Sequence, residues 1–272
     1  MLAVVFRLAL LSLVAVGLLA ACRSEDELLL GATTSVHDSG LLDELVAAFE
    51  DESELDVKPI ALGSGQLLAL ARRGELDVIM AHSPEDEEAL IEDGFALQRT
   101  PVMQNHFLIV GPASDPAGVA SARTLADAFG RIAASESSFV SRGDESGTHR
   151  RELATWAESG LDPAGESWYR VSASGQGQSL QVANDGAAYT LVDSATFVAF
   201  AERVQIIELF RDTAEPNVYS VLRLDAERLD KVNEDAADAW IEFMTSQRAQ
   251  ELIAEFGHAE FGESLFEPLL LD

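Results

Sequence analysis

Short apolar runs alternate with segments of helical periodicity along the first part of the chain. Each run is brief and bounded by turn residues such as Gly31, which is typical of a buried strand. The runs that predict strands are 28–30, 57–62, 77–81 and 106–110. The segments that predict helices between them are 41–49, 67–71 and the acidic stretch that Pro84 opens. This order predicts a mostly parallel sheet with helices on both faces.

The remainder of the chain repeats the alternation. Further strands are predicted at 139–140, 168–172, 188–192, 204–210 and 218–224. Further helices are predicted at 125–133, 152–158, 179–184, 236–245 and 250–256. We therefore expect an α/β fold of two lobes, each a mostly parallel sheet flanked by helices. Lobe I comprises 28–109 and 193–272, lobe II is the insertion 110–192, and the cleft between them is the expected ligand site, which a hinge can close.

The N-terminal segment, residues 1–22, predicts an export signal. Arg7 precedes an apolar run over 8–21, which is too short for a comfortable membrane span and fits the apolar core of a secretory signal. The run ends in LAAC, which resembles a bacterial lipobox and implies that Cys22 becomes a lipidated N-terminus. We expect an extracytoplasmic protein, in the periplasm or on the outer face of the cell membrane, held by this anchor. A plain signal peptide, or an uncleaved anchor helix, is the alternative.

The chain is strongly acidic. Its 272 residues include 47 Asp and Glu against 18 Lys and Arg, for a formal net charge of −29. Nucleic-acid binding needs clustered basic residues to neutralise phosphates, so this charge argues against it. Like-charged surfaces also repel one another, and we expect a monomer. A chain of this length buries enough apolar surface to fold without a disulfide, a metal or another cofactor.

Two polar turns follow the first two predicted strands. We call residues 32–35 the first turn and residues 63–66 the second turn. Their hydroxyl-bearing and small residues include Thr33, Thr34, Ser35, Ser64 and Gly65. Strand-to-helix turns of a parallel sheet meet at its carboxyl edge, where hydroxyls and free N–H groups suit a negatively charged ligand. The alternative is that these residues only cap helices.

A third turn, residues 141–149, reads SRGDESGTH and follows the predicted strand 139–140. The planar, positively charged guanidinium of Arg142 suits a tetrahedral oxyanion, and Asp144 is close enough in sequence to orient this guanidinium. Further donors at this helix start are Ser146, Gly147 and Thr148. The alternative is a capped helix with a surface ion pair that contributes at most about 1 kcal/mol. Together, the three turns predict a pocket of hydrogen-bond donors for a small oxyanion that has no proton to donate.

An exported phosphoesterase is the alternative from another functional class. Ser146 with His149, or His37 with Asp38, would supply the nucleophile and base that such an enzyme needs. The chain contains no G-x-S-x-G or H-E-x-x-H motif. Its other histidines are scattered along the sequence, so no metal site is predicted. We therefore expect a binding protein and not an enzyme.

These motifs resemble those of the tungstate-binding proteins of ABC transporters. The matching segments are ATTS and DSGLL within 32–42, GSGQ at 63–66, SRGDESGTH at 141–149 and AYTLVD at 188–193. The resemblance covers nearly all of the chain after residue 28. It implies a two-lobed periplasmic-binding-protein type II fold that closes on tungstate or molybdate, with a membrane permease as partner. The ligand residues that it implies are Thr33, Ser35, Ser64, Arg142 and Thr148.

Two features leave the choice of oxyanion open. The resembling family carries a third threonine where this chain has Ala32, so one donor is missing. The third turn also resembles that of phosphate-binding proteins, which need an acceptor for the ligand proton, and Asp38 is the nearest acid to the first two turns. We expect tungstate first, molybdate second and phosphate third. A signalling role through a membrane receptor is the alternative to transport.

Overall fold

The computed structural model describes residues 26–271, so the predicted leader with Cys22 lies outside the described residues. The strands are β1 (Glu27–Thr33), β2 (Asp56–Leu62), β3 (Val78–Ala81), β4 (Ala96–Gly111), β5 (Phe139–Ser141), β6 (Tyr169–Val171), β7 (Tyr189–Asp193), β8 (Ile207–Leu224) and β9 (Glu267–Pro268). The α-helices are α1 (Thr34–Asp38), α2 (Leu41–Glu52), α3 (Ser64–Arg72), α4 (Pro84–Glu92), α5 (Leu125–Ala134), α6 (Gly147–Glu158), α7 (Gln176–Asp185), α8 (Ser194–Phe200), α9 (Glu234–Thr245), α10 (Gln247–Glu255) and α11 (His258–Phe261). Within 26–271 there is no helix with the length and apolar character of a membrane span.

The strands form one sheet in the order β2-β1-β3-β8-β4-β7-β5-β6, and β9 pairs with β4. The outer strands are parallel, as predicted: β1 pairs with β2 and β3, and β5 pairs with β6 and β7. The central pairs are antiparallel, since β8 runs opposite to β3 and β4, and β4 runs opposite to β7. The α/β class with a helix-flanked sheet is thus confirmed, and its antiparallel centre is a feature that the alternating pattern did not predict.

Two long strands, β4 and β8, join the two ends of the sheet. They contain 16 and 18 residues, whereas the sequence predicts only 106–110 for β4 and two separate strands for β8. The unpredicted parts contain Pro101 and Pro216 and many polar residues, so no apolar run marks them as strand, whereas β4 and β8 pair with each other over most of their length. Register shifts beside Pro101 and Asn105 bend the pair locally. We name the part of the sheet with β2, β1 and β3 the β1 half, and the part with β7, β5 and β6 the β5 half.

Each half has a hydrophobic layer on both faces of the sheet. In the β1 half, Trp240 packs edge-to-face on Phe49, with ring centroids 5.1 Å apart, and Leu67 belongs to the layer on the opposite face. In the β5 half, Trp156 lies 4.3 Å from Phe129 between ring centroids, and the opposite layer includes residues of α7. Strand β4 serves both layers of the β5 half, because its side chains alternate between the two faces.

Helix α8 packs against both halves. Ala195 belongs to the core of the β1 half, while Phe197 and Phe200 pack against that of the β5 half. The lobe limits predicted at residues 109–110 and 192–193 stay a prediction. They fall in β4 and β7, which are strands of the shared sheet.

We expect Trp156→Ala to lower the free energy of unfolding by about 3–5 kcal/mol, because it removes a buried ring from the core of the β5 half. Urea denaturation followed by circular dichroism measures this change. The matched control is Leu153→Ala on the same helix, since the Leu153 side chain is 47% exposed. A loss for Trp156→Ala no larger than that of the control would contradict this account of the core.

Candidate functional site

The three polar turns follow strands of both halves of the sheet. The first turn follows β1, the second follows β2, and the third follows β5. The second and third turns touch, because the Gly147 N–H donates to Ser64 Oγ at 3.2 Å. A side chain on Gly65 would lie against Glu145 of the third turn, with 3.5 Å between Cβ and Oε2. The structure therefore brings together turns that are about 80 residues apart in sequence.

The first turn buries its hydroxyls. Thr33 and Ser35 are buried, and Thr34 is half-buried. Thr33 is the N-cap residue of α1, yet its side chain accepts no capping hydrogen bond. In the second turn, Gly63 occupies the N-cap position of α3, and the Ser64 hydroxyl contacts the third turn. The capping alternative is therefore wrong for the hydroxyls of Thr33 and Ser64.

Arg142 is the buried positive charge of the site. Only 3% of its surface is exposed. Its Nη1 donates to Gln176 Oε1 at 2.8 Å, its Nε donates to Asp144 Oδ2 at 3.1 Å, and its Nη2 also donates to that carboxylate. The predicted orienting role of Asp144 is confirmed, and these partners leave other guanidinium N–H groups available to a ligand.

The two hydroxyls at the start of α6 differ in their partners. Ser146 Oγ donates to Asp144 Oδ1 at 2.6 Å and accepts the N–H of His149, so it caps the helix. The capping alternative therefore describes the Ser146 hydroxyl, whose role as a ligand donor stays a prediction. Thr148 is 1% exposed, and its Oγ1 has no hydrogen-bond partner among the described residues. A buried hydroxyl without a partner costs stability unless something else satisfies it.

His82 is a site residue that sequence reasoning missed. It directly follows β3, its Nδ1 lies 2.9 Å from Asn217 Oδ1, and its Nε2 lies 3.4 Å from Ser35 Oγ. Burial, together with the positive charge of Arg142, lowers the pKa of His82 to about 4 even though the hydrogen bond to Asn217 raises it. His82 is therefore a neutral imidazole at neutral pH. Its place after β3, at the same edge as the first turn, is the signal that would have identified it.

A buried polar network lies behind Ser35. Tyr219 donates its hydroxyl proton to Ser35 Oγ at 3.1 Å, and Asn217 donates to the Tyr219 hydroxyl oxygen at 3.1 Å. Asn217 lies in the part of β8 that the sequence did not predict as strand, whereas Tyr219 falls in the predicted strand 218–224. The network continues through Asn105 to Asp193. Burial raises the pKa of Asp193, while hydrogen bonds from Thr196 and the charge of Arg142 lower it.

A second buried group supports the third turn. Glu152, on α6, accepts hydrogen bonds from the Tyr169 hydroxyl at 2.6 Å and from Trp156 Nε1 at 3.2 Å. Burial raises the pKa of Glu152 to about 7, and these hydrogen bonds partly offset the effect. Glu152 therefore links α6 to Tyr169 of β6 through a side-chain hydrogen bond. The sequence pattern did not indicate this contact.

Of the two catalytic pairs that the sequence offered, only His37 and Asp38 meet through their side chains. His149 meets Ser146 through its backbone N–H, and its imidazole Nδ1 accepts the N–H of Glu145 at 3.1 Å. His37 and Asp38 are exposed and 3.3 Å apart between Nδ1 and Oδ1. Within residues 26–271, no carboxylate accepts a hydrogen bond from the hydroxyls of the first two turns. The hydroxyls of these two turns therefore keep their protons for other acceptors, as in a site rich in hydrogen-bond donors.

Comparison with known proteins identifies the family of this chain. The sequence profile of the PBP superfamily domain matches residues 21–248. The tungstate-binding protein TupA of Peptoclostridium acidaminophilum is 37% identical over 250 residues, which cover 90% of this chain and 87% of that protein.

Two solved structures also share the fold. The tungstate ABC transporter structure from Geobacter sulfurreducens has a TM-score of 0.78 at 37% identity, covering 86% of this chain and 100% of the other. The tungstate-binding protein TupA from Desulfovibrio alaskensis G20 has a TM-score of 0.78 at 34% identity, covering 89% of this chain and 98% of the other. The chain belongs to the PBP superfamily, with the type II fold that its sequence predicts, and within it to the family of tungstate-binding proteins of ABC transporters.

Proposed function

We propose that this protein captures a tetrahedral oxyanion outside the cytoplasm, tungstate before molybdate and phosphate, and delivers it to an ABC permease. It binds the oxyanion as such and uses no resident cofactor or metal. The relatives that carry the name tungstate-binding protein support tungstate as the first ligand in this order. In this proposal Cys22 carries a lipid that holds the protein at the membrane, and the protein acts as a monomer.

The observation that carries the proposal is the buried guanidinium of Arg142 in the third turn, whose Gly147 N–H donates to Ser64 of the second turn in the other half. Burying a charge is costly unless it is paired, and Asp144 satisfies only part of the guanidinium. A small dianion would complete the pairing through charge-assisted hydrogen bonds, which are about twice as strong as neutral ones. Thr148 Oγ1, buried without a partner among the described residues, supports a donor role at the same place.

The lack of a carboxylate acceptor among the contacts of the first two turns supports an unprotonated dianion over phosphate. Asp38, the acid nearest to the first turn in sequence, has an exposed side chain that pairs with His37. Hydrogen phosphate needs an acceptor for its proton, whereas tungstate, molybdate and sulfate do not. The same contacts argue against an exported phosphoesterase, because the Ser146 hydroxyl donates to Asp144 and not to an imidazole.

Contacts between the two halves of the sheet support our proposal that two lobes close on the ligand. Besides the bond from Gly147 to Ser64, Arg150 Nε lies 3.0 Å from Asp86 Oδ2, so α6 of one half meets α4 of the other. In our proposal, the bound oxyanion stabilises this closed arrangement, which the permease then recognises.

Isothermal titration calorimetry with tungstate, molybdate, sulfate and phosphate tests the proposal directly. We expect binding in the order tungstate, molybdate, then the other two, because the resemblance implies tungstate or molybdate and the relatives' names give tungstate. Heat of binding for none of these anions would overturn the proposed function. Phosphate as the tightest ligand would overturn the ligand order while leaving oxyanion capture in place.

We expect Arg142→Ala to weaken tungstate binding by about 2 kcal/mol or more, roughly 30-fold, because it removes the buried charge of the site. Calorimetry measures the dissociation constant. The control is Arg131→Ala, which deletes an arginine that is also paired with an aspartate but lies partly exposed on α5. Equal affinities for the two variants would place Arg142 outside the site.

We expect Thr148→Val to weaken tungstate binding about tenfold or more, because a hydrogen bond to a charged group contributes about 1.5–3 kcal/mol. Without ligand, the free energy of unfolding should be unchanged or higher, since the Thr148 hydroxyl has no partner among the described residues. Calorimetry and urea denaturation measure the two quantities.

Thr155→Val, on the same helix, is the matched control because its hydroxyl donates to the Arg151 carbonyl at 2.8 Å. This control should lower stability slightly and leave affinity unchanged. The reverse pattern, with affinity lost at Thr155 and kept at Thr148, would contradict the donor role of Thr148.

A further inference from the structure

We propose that Tyr219 is a positioning residue that holds the Ser35 hydroxyl as a hydrogen-bond donor and thereby makes the site prefer oxyanions without a proton. The inference rests on the proposed function, because Ser35 must face the bound oxyanion. Tyr219 acts through Ser35 and itself needs no contact with the ligand.

The direction of the network begins at Asp193. Its carboxyl group accepts the N–H of Thr196 at 2.9 Å and the Thr196 hydroxyl proton at 2.7 Å. It also accepts from Asn105 Nδ2 at 3.1 Å. Because the amide nitrogen of Asn105 faces Asp193, its oxygen faces the next residue and acts as an acceptor. Asp193 thus orients Asn105.

Asn105 in turn orients Asn217. Asn217 Nδ2 donates to Asn105 Oδ1 at 2.8 Å and to the Tyr219 hydroxyl oxygen at 3.1 Å. The Asn217 oxygen therefore faces His82 and accepts its Nδ1–H at 2.9 Å. Since His82 is neutral, its Nε2 then has no proton. The orientation of one amide thus sets both the tautomer of His82 and the direction of the Tyr219 hydroxyl.

The orientation of the Tyr219 hydroxyl determines the hydrogen bond that Ser35 receives. Its hydroxyl oxygen accepts from Asn217, so its proton is donated to Ser35 Oγ at 3.1 Å. Burial raises the pKa of the Tyr219 phenol, which keeps that proton in place. With its oxygen accepting from Tyr219, Ser35 has its own proton to offer.

The Ser35 proton is not firmly held by its other neighbours. Ser35 Oγ lies 3.4 Å from His82 Nε2, which could accept its proton, and 3.4 Å from Thr33 Oγ1, and both distances exceed the roughly 2.7–3.2 Å of well-formed hydrogen bonds. A bound oxyanion can therefore receive it. A ligand oxygen that carries a proton would meet this donor with another donor, and a site built for one hydrogen-bonding pattern rejects the other strongly.

Tyr219→Phe removes the hydroxyl and keeps the ring. The ring packs against Phe266, with centroids 5.6 Å apart, and against His82, with centroids 4.7 Å apart. In this variant the Ser35 oxygen is released to accept a hydrogen bond from the ligand. The matched control is Tyr189→Phe, which removes a buried tyrosine hydroxyl that donates to Asp115 in the β5 half.

The test measures dissociation constants for tungstate, sulfate and phosphate by calorimetric displacement at about pH 8, where phosphate carries a proton and sulfate carries none. For the wild type and Tyr189→Phe we expect sulfate to bind more tightly than phosphate. For Tyr219→Phe we expect tungstate affinity to fall about 3–10-fold and the ratio of sulfate to phosphate affinity to fall about fivefold or more.

The outcomes separate the inference from the proposed function. If Tyr219→Phe weakens the binding of all three anions by the same factor, or of none, the ratio of sulfate to phosphate affinity stays unchanged. That result overturns the inference, while the proposed oxyanion capture stands. If the wild type binds no oxyanion, both are overturned. A second variant, Asn217→Asp, removes the amide donor that orients Tyr219, and it should lower the same ratio even where Tyr219→Phe fails to fold.

Discussion

The pairing of the buried Arg142 guanidinium is the interaction on which the site depends. A charge that is almost fully removed from water must be matched, and Asp144 and Gln176 hold the guanidinium in one orientation. Asp144 also accepts from Ser146 at the start of α6, so the same carboxylate links Arg142 to the helix that carries Thr148. The charge, the turn and the helix start are therefore joined by one set of hydrogen bonds.

The local charge of the site contrasts with that of the whole chain. The net charge of −29 repels an approaching anion, but salt screens exposed charges over about 8–10 Å. At contact distance, the interaction with an anion depends on the buried arginine and the neutral hydrogen-bond donors. The low pKa of His82 belongs to the same pattern, because a neutral imidazole avoids burying a second positive charge beside Arg142. The site thus combines a single positive charge with hydrogen-bond donors whose directions the surrounding network sets.

The long antiparallel strands β4 and β8 connect this site to the fold. They are the strands shared by the two halves, and β8 carries Asn217 and Tyr219 into the region behind Ser35. The polar network contacts Ser35 of the first turn through Tyr219, and it contacts Asp193 at the end of β7 through Asn105. Both halves of the sheet therefore contribute to the orientation of the Ser35 hydroxyl. This arrangement gives the connecting strands a role in recognition in addition to their role in joining the halves.

The sequence by itself determined the local parts of this protein. Apolar runs such as 28–30 and 77–81 predicted their strands, because a short buried strand needs a continuous apolar run. The third turn predicted both the Arg142–Asp144 pair and the start of α6, since these contacts span only a few residues. The motifs also indicated the family correctly.

Only the tertiary structure decided which distant residues meet. Residues 211–217 are polar and contain a proline, so no local pattern marks them as strand, and their pairing with β4 depends on contacts far apart in sequence. His82 and Tyr219 join Ser35 for the same reason, and the sequence offered no period that links them. Which hydroxyl caps a helix and which stays free, as for Ser146 and Thr148, also follows from three-dimensional packing. Local backbone preferences can be read along a chain, whereas the partner of a buried polar group is set by the fold that surrounds it.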